Sequence, residues 1–281
     1  MTKKHFLLPL LAATTLLSGA YASAPLDLKI LHFNDHHGFL DSSTMKLTYT
    51  GDKGKAKKVY TRLGGLPRMA AEINALRDDH TLVLDAGDAF SGTLYHTLFR
   101  GLANVALMNG MGIDAFTLGN HEFDNRDEGL KAFIDKANFP IISANTVADK
   151  GSLLDGAWKP YIIKEVNGEK VGIIGLEVGQ KTRVSSRPSD KIHFLDEVET
   201  AQKYADILTK QGIDKIILLS HYGYDNDLIL ASKVSGIDVI IDGDSHTLMG
   251  DFSAVHLTSQ VDQYPKNLTA KDGKPVCIAQ A

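Results

Sequence analysis

The sequence predicts an α/β protein built on a largely parallel sheet. Short apolar runs alternate along the chain with segments in which apolar residues recur at helical spacing, and this alternation is typical of parallel strands connected by helices. Several of the apolar runs end in Asp, Asn or His, and open α/β sheets place their ligands at the carboxyl ends of their strands. An Asn-Gly pair between two further apolar runs predicts an antiparallel hairpin within the fold.

The first 24 residues have the pattern of a secretory signal peptide. Lys3 and Lys4 precede an apolar run over residues 6–17, and the small-x-small sequence Ala22-Ser23-Ala24 follows it. The apolar run is too short to span a bilayer, and no Cys follows it that could carry a lipid. We therefore expect cleavage after Ala24, a periplasmic or secreted product without a membrane anchor, and one domain over residues 25–281.

Composition excludes several classes of partner. The formal net charge of -4 becomes -4 - 2 = -6 once Lys3 and Lys4 are removed. An acidic chain without a basic stripe argues against binding to nucleic acid or to a membrane surface. Because Cys277 is the single cysteine, the 43% of hydrophobic residues must supply stability through a core. We expect a monomer, with the lysine-rich residues 48–58 forming a solvated hairpin or loop; a phosphate-attracting rim is the alternative.

The first predicted strand, residues 28–33, ends in Asn34-Asp35-His36-His37-Gly38. Asp35 and His37 are two residues apart, so an extended backbone would direct both side chains to the same side, as two ligands of one metal require. His36 would then point away, as a polar residue at the rim. His32 lies inside the strand and is expected to be a core histidine with its hydrogen bonds satisfied.

A helix over residues 66–76 and a strand over residues 81–84 come next, before an acidic, glycine-containing stretch. Asp88 is a better candidate ligand than Asp85, because Asp85 lies nearer the strand and the flanking glycines let the backbone of Asp88 approach a ligand closely. An acid-rich helix cap is the alternative, and it suits Asp85 better than Asp88. His96 in the following helix is expected to be structural.

A strand over residues 115–118 leads into Gly119-Asn120-His121-Glu122-Phe123-Asp124, before a helical pattern over residues 127–136. Asn120 can offer a neutral oxygen to a metal. His121 can donate a proton or a hydrogen bond, and Asp124 can hold its imidazole in one tautomer. Taken alone, an Asn-His pair is equally consistent with a helix cap beside a surface histidine.

Two later strands also end in candidate ligands. His221 follows one of them, and Asp244 and His246 follow the other with the same spacing as Asp35 and His37. The remaining predicted elements are strands over residues 140–144, 215–219, 237–241 and 275–279, a hairpin over residues 161–176, and helices over residues 198–208 and 228–234.

The candidate ligands are oxygen and imidazole groups without thiolate, which suits Zn²⁺, Mn²⁺, Fe or Co²⁺ rather than a structural zinc. They are too many for one ion, and two ions need a bridging carboxylate, for which Asp88 is the natural candidate. Two divalent ions roughly 3.5–4 Å apart generate a hydroxide at neutral pH and clamp the oxygens of an in-line displacement. The collected groups are Asp35, His37, Asp88, Asn120, His121, His221, Asp244 and His246.

These ordered motifs resemble those of the bacterial 5′-nucleotidase family of metallophosphoesterases. The resemblance covers nearly all of the chain after residue 24 and implies a four-layer α/β-β/α sandwich with mixed central sheets. It implies that His121, oriented by Asp124, stabilises the transition state and leaving group, and that Asn120 and His121 contact the substrate. It implies one metal held by Asp35, His37, Asp88 and His246, and a second held by Asp88, Asn120, His221 and Asp244.

Two departures from the family pattern qualify the resemblance. The family usually has His at the position of Asp244, and the sequence Gly243-Asp244-Ser245-His246 looks most like the periplasmic NAD nucleotidase subgroup, which cleaves NAD and dephosphorylates the resulting mononucleotides. The family also continues into a C-terminal substrate domain whose aromatic residues stack the base. We expect that domain, and the last part of the catalytic domain, to be absent from a chain that ends at Ala281.

The resemblance implies an exported phosphohydrolase that acts on nucleotides or other small phosphorylated substrates. A cyclic-nucleotide phosphodiesterase or a sulfur-ester hydrolase on the same scaffold is an alternative, because residues that hold metals do not distinguish these substrates. A fragment that binds metal without activity is an alternative of a different class. Hydrolysis of a generic aryl phosphate would separate the enzyme hypotheses from the inactive fragment.

Overall fold

The computed structural model describes residues 25–50, 54–257 and 259–281. The predicted signal peptide therefore lies outside the described residues, as does Lys53 of the lysine-rich stretch. Within the described part of the chain, no helix is both long enough and apolar enough to cross a membrane.

Strands and helices alternate through most of the chain, as predicted. The strands are β1 (Lys29–Phe33), β2 (Ser43–Thr50), β3 (Ala56–Leu63), β4 (Thr81–Asp85), β5 (Ala115–Thr117), β6 (Ile141–Ile142), β7 (Thr146–Ala148), β8 (Tyr161–Val166), β9 (Glu169–Glu177), β10 (Ile192–Phe194), β11 (Ile216–His221), β12 (Val239–Asp242), β13 (Lys266–Thr269) and β14 (Pro275–Gln280). The α-helices are α1 (Leu66–Leu76), α2 (Leu94–Phe99), α3 (Leu102–Met108), α4 (Arg126–Ile134), α5 (Gly179–Ser185), α6 (Glu197–Lys210) and α7 (Tyr224–Lys233), with short 3₁₀ turns at Asn120–Phe123 and Ser253–Val255.

Two sheets form the centre of the molecule. The first has the order β1-β4-β5-β6 and is parallel throughout. The second has the order β13-β14-β12-β11-β9-β8. Its inner strands are parallel, and its outer strands β13 and β8 pair in antiparallel fashion with their neighbours. The predicted α/β class and mixed sheets are confirmed.

Buried strands supply apolar side chains to both of their faces, which produces the four layers. In β4, Leu82 and Leu84 lie in the apolar layer between the sheets, whereas Val83 packs in the outer core with α1, α3 and α4. In β11, Ile217 lies between the sheets and Leu218 packs in the outer core with α6 and α7. Successive side chains of these apolar strands therefore alternate between two hydrophobic cores, and not between a core and water.

Two predicted hairpins form. The Asn-Gly hairpin joins β8 to β9, and the lysine-rich stretch belongs to an exposed ladder in which β2 and β3 pair from Ser43↔Leu63 to Thr50↔Ala56. The sequence did not predict the small β7–β10 ladder, the edge strand β13, or the short helices α3 and α5. These elements are short and lack a long apolar period, so their order depends on the sheets beside them.

Gly175 of β9 provides a test of the close packing between the sheets. A Cβ atom at this position would lie 2.6 Å from the carbonyl carbon and oxygen of Ile142 in β6. Because a backbone group cannot move aside as a side chain can, we expect Gly175→Ala to lower the free energy of unfolding by about 1–3 kcal/mol in urea denaturation. Gly110→Ala is the control, since its nearest neighbour would be 3.4 Å away, and should change stability by less than about 0.5 kcal/mol. Equal stability of the two variants would contradict close packing at Gly175.

Candidate metal centre

The carboxyl ends of five parallel strands meet at one edge of the two sheets. Strands β1, β4 and β5 belong to the first sheet, and β11 and β12 belong to the second. The candidate ligands lie at the end of each strand or in the loop after it, so the centre lies at the seam between the sheets. No single sheet carries the whole set.

Asp35, His37 and His246 form the first group of side chains at this seam. Asp35 Oδ1 lies 3.7 Å from His37 Nε2 and 3.3 Å from His246 Nε2. The two imidazole Nε2 atoms are 3.2 Å apart. One ligand atom from each residue therefore converges on a common volume, which is the arrangement that a single cation requires.

Asp88 lies between this group and a second one. Its Oδ2 atom is 3.1 Å from His221 Nε2 and 3.9 Å from His37 Nε2. Asp35 also reaches toward the second group, because the ligand atoms of Asp35, Asp88 and His221 lie within 4.8 Å of one another. Asp88 is therefore central to the cluster, where its bridging role stays a prediction, and Asp35 has a similar reach that the sequence did not indicate.

Asp244 adjoins the second group, and Asn120 lies in the turn that follows β5. Asn120 is fully buried, and its amide nitrogen lies 3.5 Å from Ser185 Oγ. Asp244 Oδ1 lies 3.7 Å from His221 Nε2. The same carboxylate forms an ion pair with Lys181, a residue that the sequence analysis did not select.

Backbone carbonyls orient two of the imidazoles. His37 Nδ1 donates to the carbonyl of Phe90 at 3.0 Å, and His221 Nδ1 donates to the carbonyl of Ala86 at 2.6 Å. A carbonyl can only accept a hydrogen bond, so each Nδ1 carries the proton and each Nε2 faces the centre. Metal-bound histidines in proteins are usually held by this kind of contact.

Three buried atoms at the centre have no hydrogen-bond partner, and their identity indicates whether a metal would fit there. They are Asp35 Oδ1, Asn120 Oδ1 and His221 Nε2, and each belongs to a predicted ligand. A buried polar atom without a partner costs about 1–3 kcal/mol, and divalent cations would satisfy all three. The space is also kept open at Gly119, where a Cβ atom would lie 2.3 Å from Asp88 Oδ1 and 2.8 Å from His221 Nε2. These residues fit a centre for divalent cations.

The carboxylates strongly favour positive charge in this buried pocket. Burial alone would lower the pKa of His221, but Asp88, Asp35 and Asp244 raise it well above its usual range. Burial alone would raise the pKa of Asp35, but His246 and His221 bring it below its usual range. A divalent cation at this position would neutralise these carboxylates.

His121 and Asp124 form a pair beside the centre. His121 Nδ1 lies 2.7 Å from Asp124 Oδ2, and Ser91 donates its hydroxyl proton to the same carboxylate oxygen. His121 Nε2 lies 4.0 Å from Asp88 Oδ2, and the side chain is 32% exposed. Its hydrogen bond to Asp124 raises the pKa of His121. The imidazole is therefore fixed at one nitrogen and accessible at the other.

The backbone reason given for Asp35 and His37 was wrong, although the two side chains do converge. Both residues have left-handed φ values, 49° and 44°, so the chain is not extended there. Asp244 and His246 are also left-handed, at 72° and 50°, and they reach different groups of the centre. The turn geometry, and not strand alternation, brings these ligands together.

The placement predicted for His36 was also wrong, since this residue is 8% exposed and lies beneath the loop near the ring of Phe33. Its burial lowers its pKa to about 4. His32 is half-buried, with Nε2 within 2.6 Å of the Tyr264 hydroxyl and Nδ1 without a partner, so its predicted hydrogen bonds are only partly satisfied. His96 pairs with the Asn125 side chain, as a structural residue would.

Glu122 is a further residue of the site that the sequence analysis missed. Its buried carboxylate accepts backbone N–H groups of Gly119 at 2.7 Å, Asp88 at 2.9 Å, Ala89 at 2.8 Å and Phe90 at 3.3 Å. Burial and the charge of Asp88 raise the pKa of Glu122 to about 8, against the effect of these donors. The four hydrogen bonds of this side chain join the Asp88 loop to the Asn120 turn. Glu122 adjoins the candidate residue His121 in the sequence, but no nearby residue indicates that its side chain contacts a loop more than thirty residues earlier.

The chain is similar to known proteins over most of its length. The family described as calcineurin-like phosphoesterase matches residues 28–248. A probable 5′-nucleotidase of Treponema pallidum is 45% identical over 258 residues, which cover 91% of this chain and 43% of that protein.

Two solved structures share the fold. NAD nucleotidase of Haemophilus influenzae superposes with a TM-score of 0.84 at 44% identity, covering 90% of this chain and 44% of that chain. A 5′-nucleotidase precursor of Thermus thermophilus superposes with a TM-score of 0.83 at 40% identity, covering 90% of this chain and 48% of that chain. The chain thus spans less than half the length of each of these relatives.

Glu122→Gln tests the clamp between the two loops. An amide keeps one acceptor oxygen and turns an N–H₂ group toward backbone donors, so we expect the free energy of unfolding of the metal-free protein to fall by about 1–3 kcal/mol. Zinc binding, measured by chelator competition, should weaken as well because the Asp88 loop loses its support. Glu165→Gln, at an exposed strand position, should change neither quantity. Wild-type stability and zinc affinity in Glu122→Gln would show that the clamp contributes nothing.

Proposed function

The chain belongs to the calcineurin-like phosphoesterase family, and we propose that it is the catalytic part of an exported nucleotide phosphohydrolase that uses two divalent metal ions. The observation that carries this proposal is the set of unpartnered buried ligand atoms around Asp88. The names of the relatives support nucleotides as the substrate class.

The proposed ligand sets come from the family resemblance, and the convergence of side chains around Asp88 supports them. Asp35, His37, Asp88 and His246 would hold one ion, and Asp88, Asn120, His221 and Asp244 would hold the other. Zn²⁺, Mn²⁺ and Co²⁺ suit these oxygen and imidazole donors. When bound, the ions lower the pKa of water and neutralise charge on the phosphate.

His121 has a separate role in the proposal. Asp124 fixes its Nδ1 proton, and the raised pKa keeps the imidazole charged closer to neutral pH. The accessible Nε2–H can then stabilise the oxygen on which negative charge develops, or protonate the departing alcohol. Asn120 lies beside it in the same turn and would contact the substrate as well as a metal ion.

The relatives favour 5′-nucleotides, and the likeness to an NAD nucleotidase adds the pyrophosphate bond of NAD as a second substrate bond. Cyclic-nucleotide or sulfur-ester hydrolysis remains the alternative on this scaffold. Analysis of the products formed by the purified chain separates these activities. AMP and an aryl phosphate would release inorganic phosphate, cleavage of NAD at its pyrophosphate bond would give two mononucleotides, and hydrolysis of cyclic AMP would give AMP. No product from any of these substrates with metal-loaded protein would contradict the proposed function.

Metal removal and Asp88→Asn test the two-metal proposal. Because Asp88 lies between both groups, its loss should reduce metal content at both positions and lower aryl-phosphate turnover by about 10²–10³-fold. Metal content is measured by elemental analysis after dialysis. Asp190→Asn, with an 87% exposed side chain paired with Lys191, should retain both ions and full activity. Full turnover by metal-free wild-type protein would rule out a metal-dependent mechanism.

His121→Ala tests catalysis apart from metal binding. We expect metal content to stay near two ions while kcat falls by about 10²–10⁴-fold, the range for a lost general acid or charge stabiliser. His193→Ala is a matched control, because His193 pairs with Asp149 away from the centre. A parallel loss of metal and activity in His121→Ala would reassign His121 as a ligand.

A further inference from the structure

Lys181 lies at the mouth of the candidate metal centre. It belongs to α5, and its ammonium group forms an ion pair with the carboxylate of Asp244. The side chain of Lys181 is 43% exposed and that of Asp244 is 12% exposed, so the pair joins the buried centre to solvent. Its position differs from that of an ordinary surface pair, because Asp244 also lies 3.7 Å from His221.

Lys181 meets the centre at the loop that serves both groups. Its ammonium neutralises Asp244, whose carboxylate lies 3.7 Å from His221 Nε2 in the second group. Two residues further along the same loop, His246 Nε2 lies 3.3 Å from Asp35 Oδ1 in the first group. Lys181 therefore places a partly exposed positive charge at the border between the buried centre and solvent.

The charge balance of the centre explains why a cation at the position of Lys181 would favour phosphate binding. The carboxylates of Asp35, Asp88 and Asp244 would leave one net positive charge on two divalent ions. A phosphate monoester at neutral pH carries close to two negative charges. Without a further cation, a bound phosphate would leave the centre negative, in a pocket where such charge is poorly screened.

We propose that Lys181 is a phosphate-binding residue of the substrate site and supplies the cation that this balance lacks. A carboxylate has several acceptor positions, so Asp244 can serve a metal ion while still orienting the ammonium. The ammonium then presents its remaining N–H groups to the phosphate oxygens as charge-assisted donors. This inference rests on the proposed function, since it assigns a role in binding the same substrate group.

The opposing possibility is that Lys181 competes with the metal for Asp244. The two possibilities differ in the sign of the effect on anion binding. If Lys181 binds phosphate, its removal weakens phosphate binding. If Lys181 competes with the metal, its removal leaves phosphate binding unchanged or makes it tighter, because metal occupancy rises.

The experiment compares Lys181→Gln, Lys181→Arg and wild type, all loaded with zinc, by calorimetric titration with inorganic phosphate. Lys181→Gln should weaken phosphate binding by about 5- to 30-fold, the range for one charge-assisted hydrogen bond at a partly exposed site. Lys181→Arg keeps the charge and should remain within about 3-fold of wild type. Lys191→Gln removes an exposed lysine paired with Asp149 and Asp190, and it should bind phosphate as wild type does. Wild-type or tighter phosphate binding by Lys181→Gln would overturn the proposal.

A second arm asks whether Lys181 acts on phosphate directly or only through Asp244. Lys181→Gln is introduced into an Asp244→His background, with zinc content measured in every variant. A direct contact predicts that Lys181→Gln still weakens phosphate binding there, by at least about 3-fold. Loss of the effect in that background would overturn the phosphate contact and leave Lys181 as a partner of Asp244 alone.

These readouts separate the inference from the proposed function. Phosphate and zinc binding are measured without turnover, so a protein that binds both but hydrolyses no substrate would contradict the proposed function and leave the role of Lys181 intact. In an active protein, Lys181→Gln should raise KM for an aryl phosphate more than it lowers kcat. A fall in kcat with KM unchanged would contradict a role in binding.

Discussion

The buried carboxylate of Glu122 is the contact on which the candidate metal centre depends most. It accepts four backbone N–H groups, three from residues 88–90 and one from Gly119. Asp88 has a left-handed φ of 58°, a conformation that is uncommon for residues other than glycine. Glu122 holds the Asp88 loop through these bonds, which join the loops that follow the neighbouring strands β4 and β5. The position of the proposed bridging ligand thus depends on a side chain that is not itself a proposed ligand.

The two-sheet architecture explains why the ligands form one centre and not two. Strands β1, β4 and β5 end beside β11 and β12 because an apolar layer fixes the sheets against each other. Small residues let the two strand edges approach at the centre. At Gly243 a Cβ atom would lie 2.8 Å from His221 Nδ1 and from the carbonyl of Ala86. Ligands from different sheets can therefore lie close enough to share Asp88. On a single sheet, the spacing between strands would keep these ligands apart.

Groups at the edge of the acidic centre contact its candidate ligands and catalytic histidine without belonging to the proposed metal ligands. Asp124 and Ser91 fix His121 at one side of the mouth, and Lys181 pairs with Asp244 at another. Three carboxylates in a buried pocket are stable only when cations are close. Lys181 lies beside one of these carboxylates, and the proposed metal ions would neutralise the others.

The sequence by itself determined the fold class, the main strands and helices, and the set of residues at the strand ends. It could do so because helical and strand periods are local properties, and because Asp, Asn and His after apolar runs are visible without a structure. The residues Asp35, His37, Asp88, Asn120, His121, His221, Asp244 and His246 were all selected in this way, and the structure brings them to one seam.

Only the tertiary structure decided how those residues are held. The left-handed turns at Asp35 and His37 and the burial of His36 contradict strand alternation, because loop backbones follow the contacts made around them. The contacts of Glu122 with residues 88–90 and of Lys181 with Asp244 gave no local signal, since these partners lie more than thirty and more than sixty residues away along the chain. The division of an apparently single parallel sheet into two was equally invisible from periodicity, because a strand buried against a second sheet and one buried against helices have the same apolar sequence. Long-range packing, which the sequence encodes without displaying, fixes each of these features.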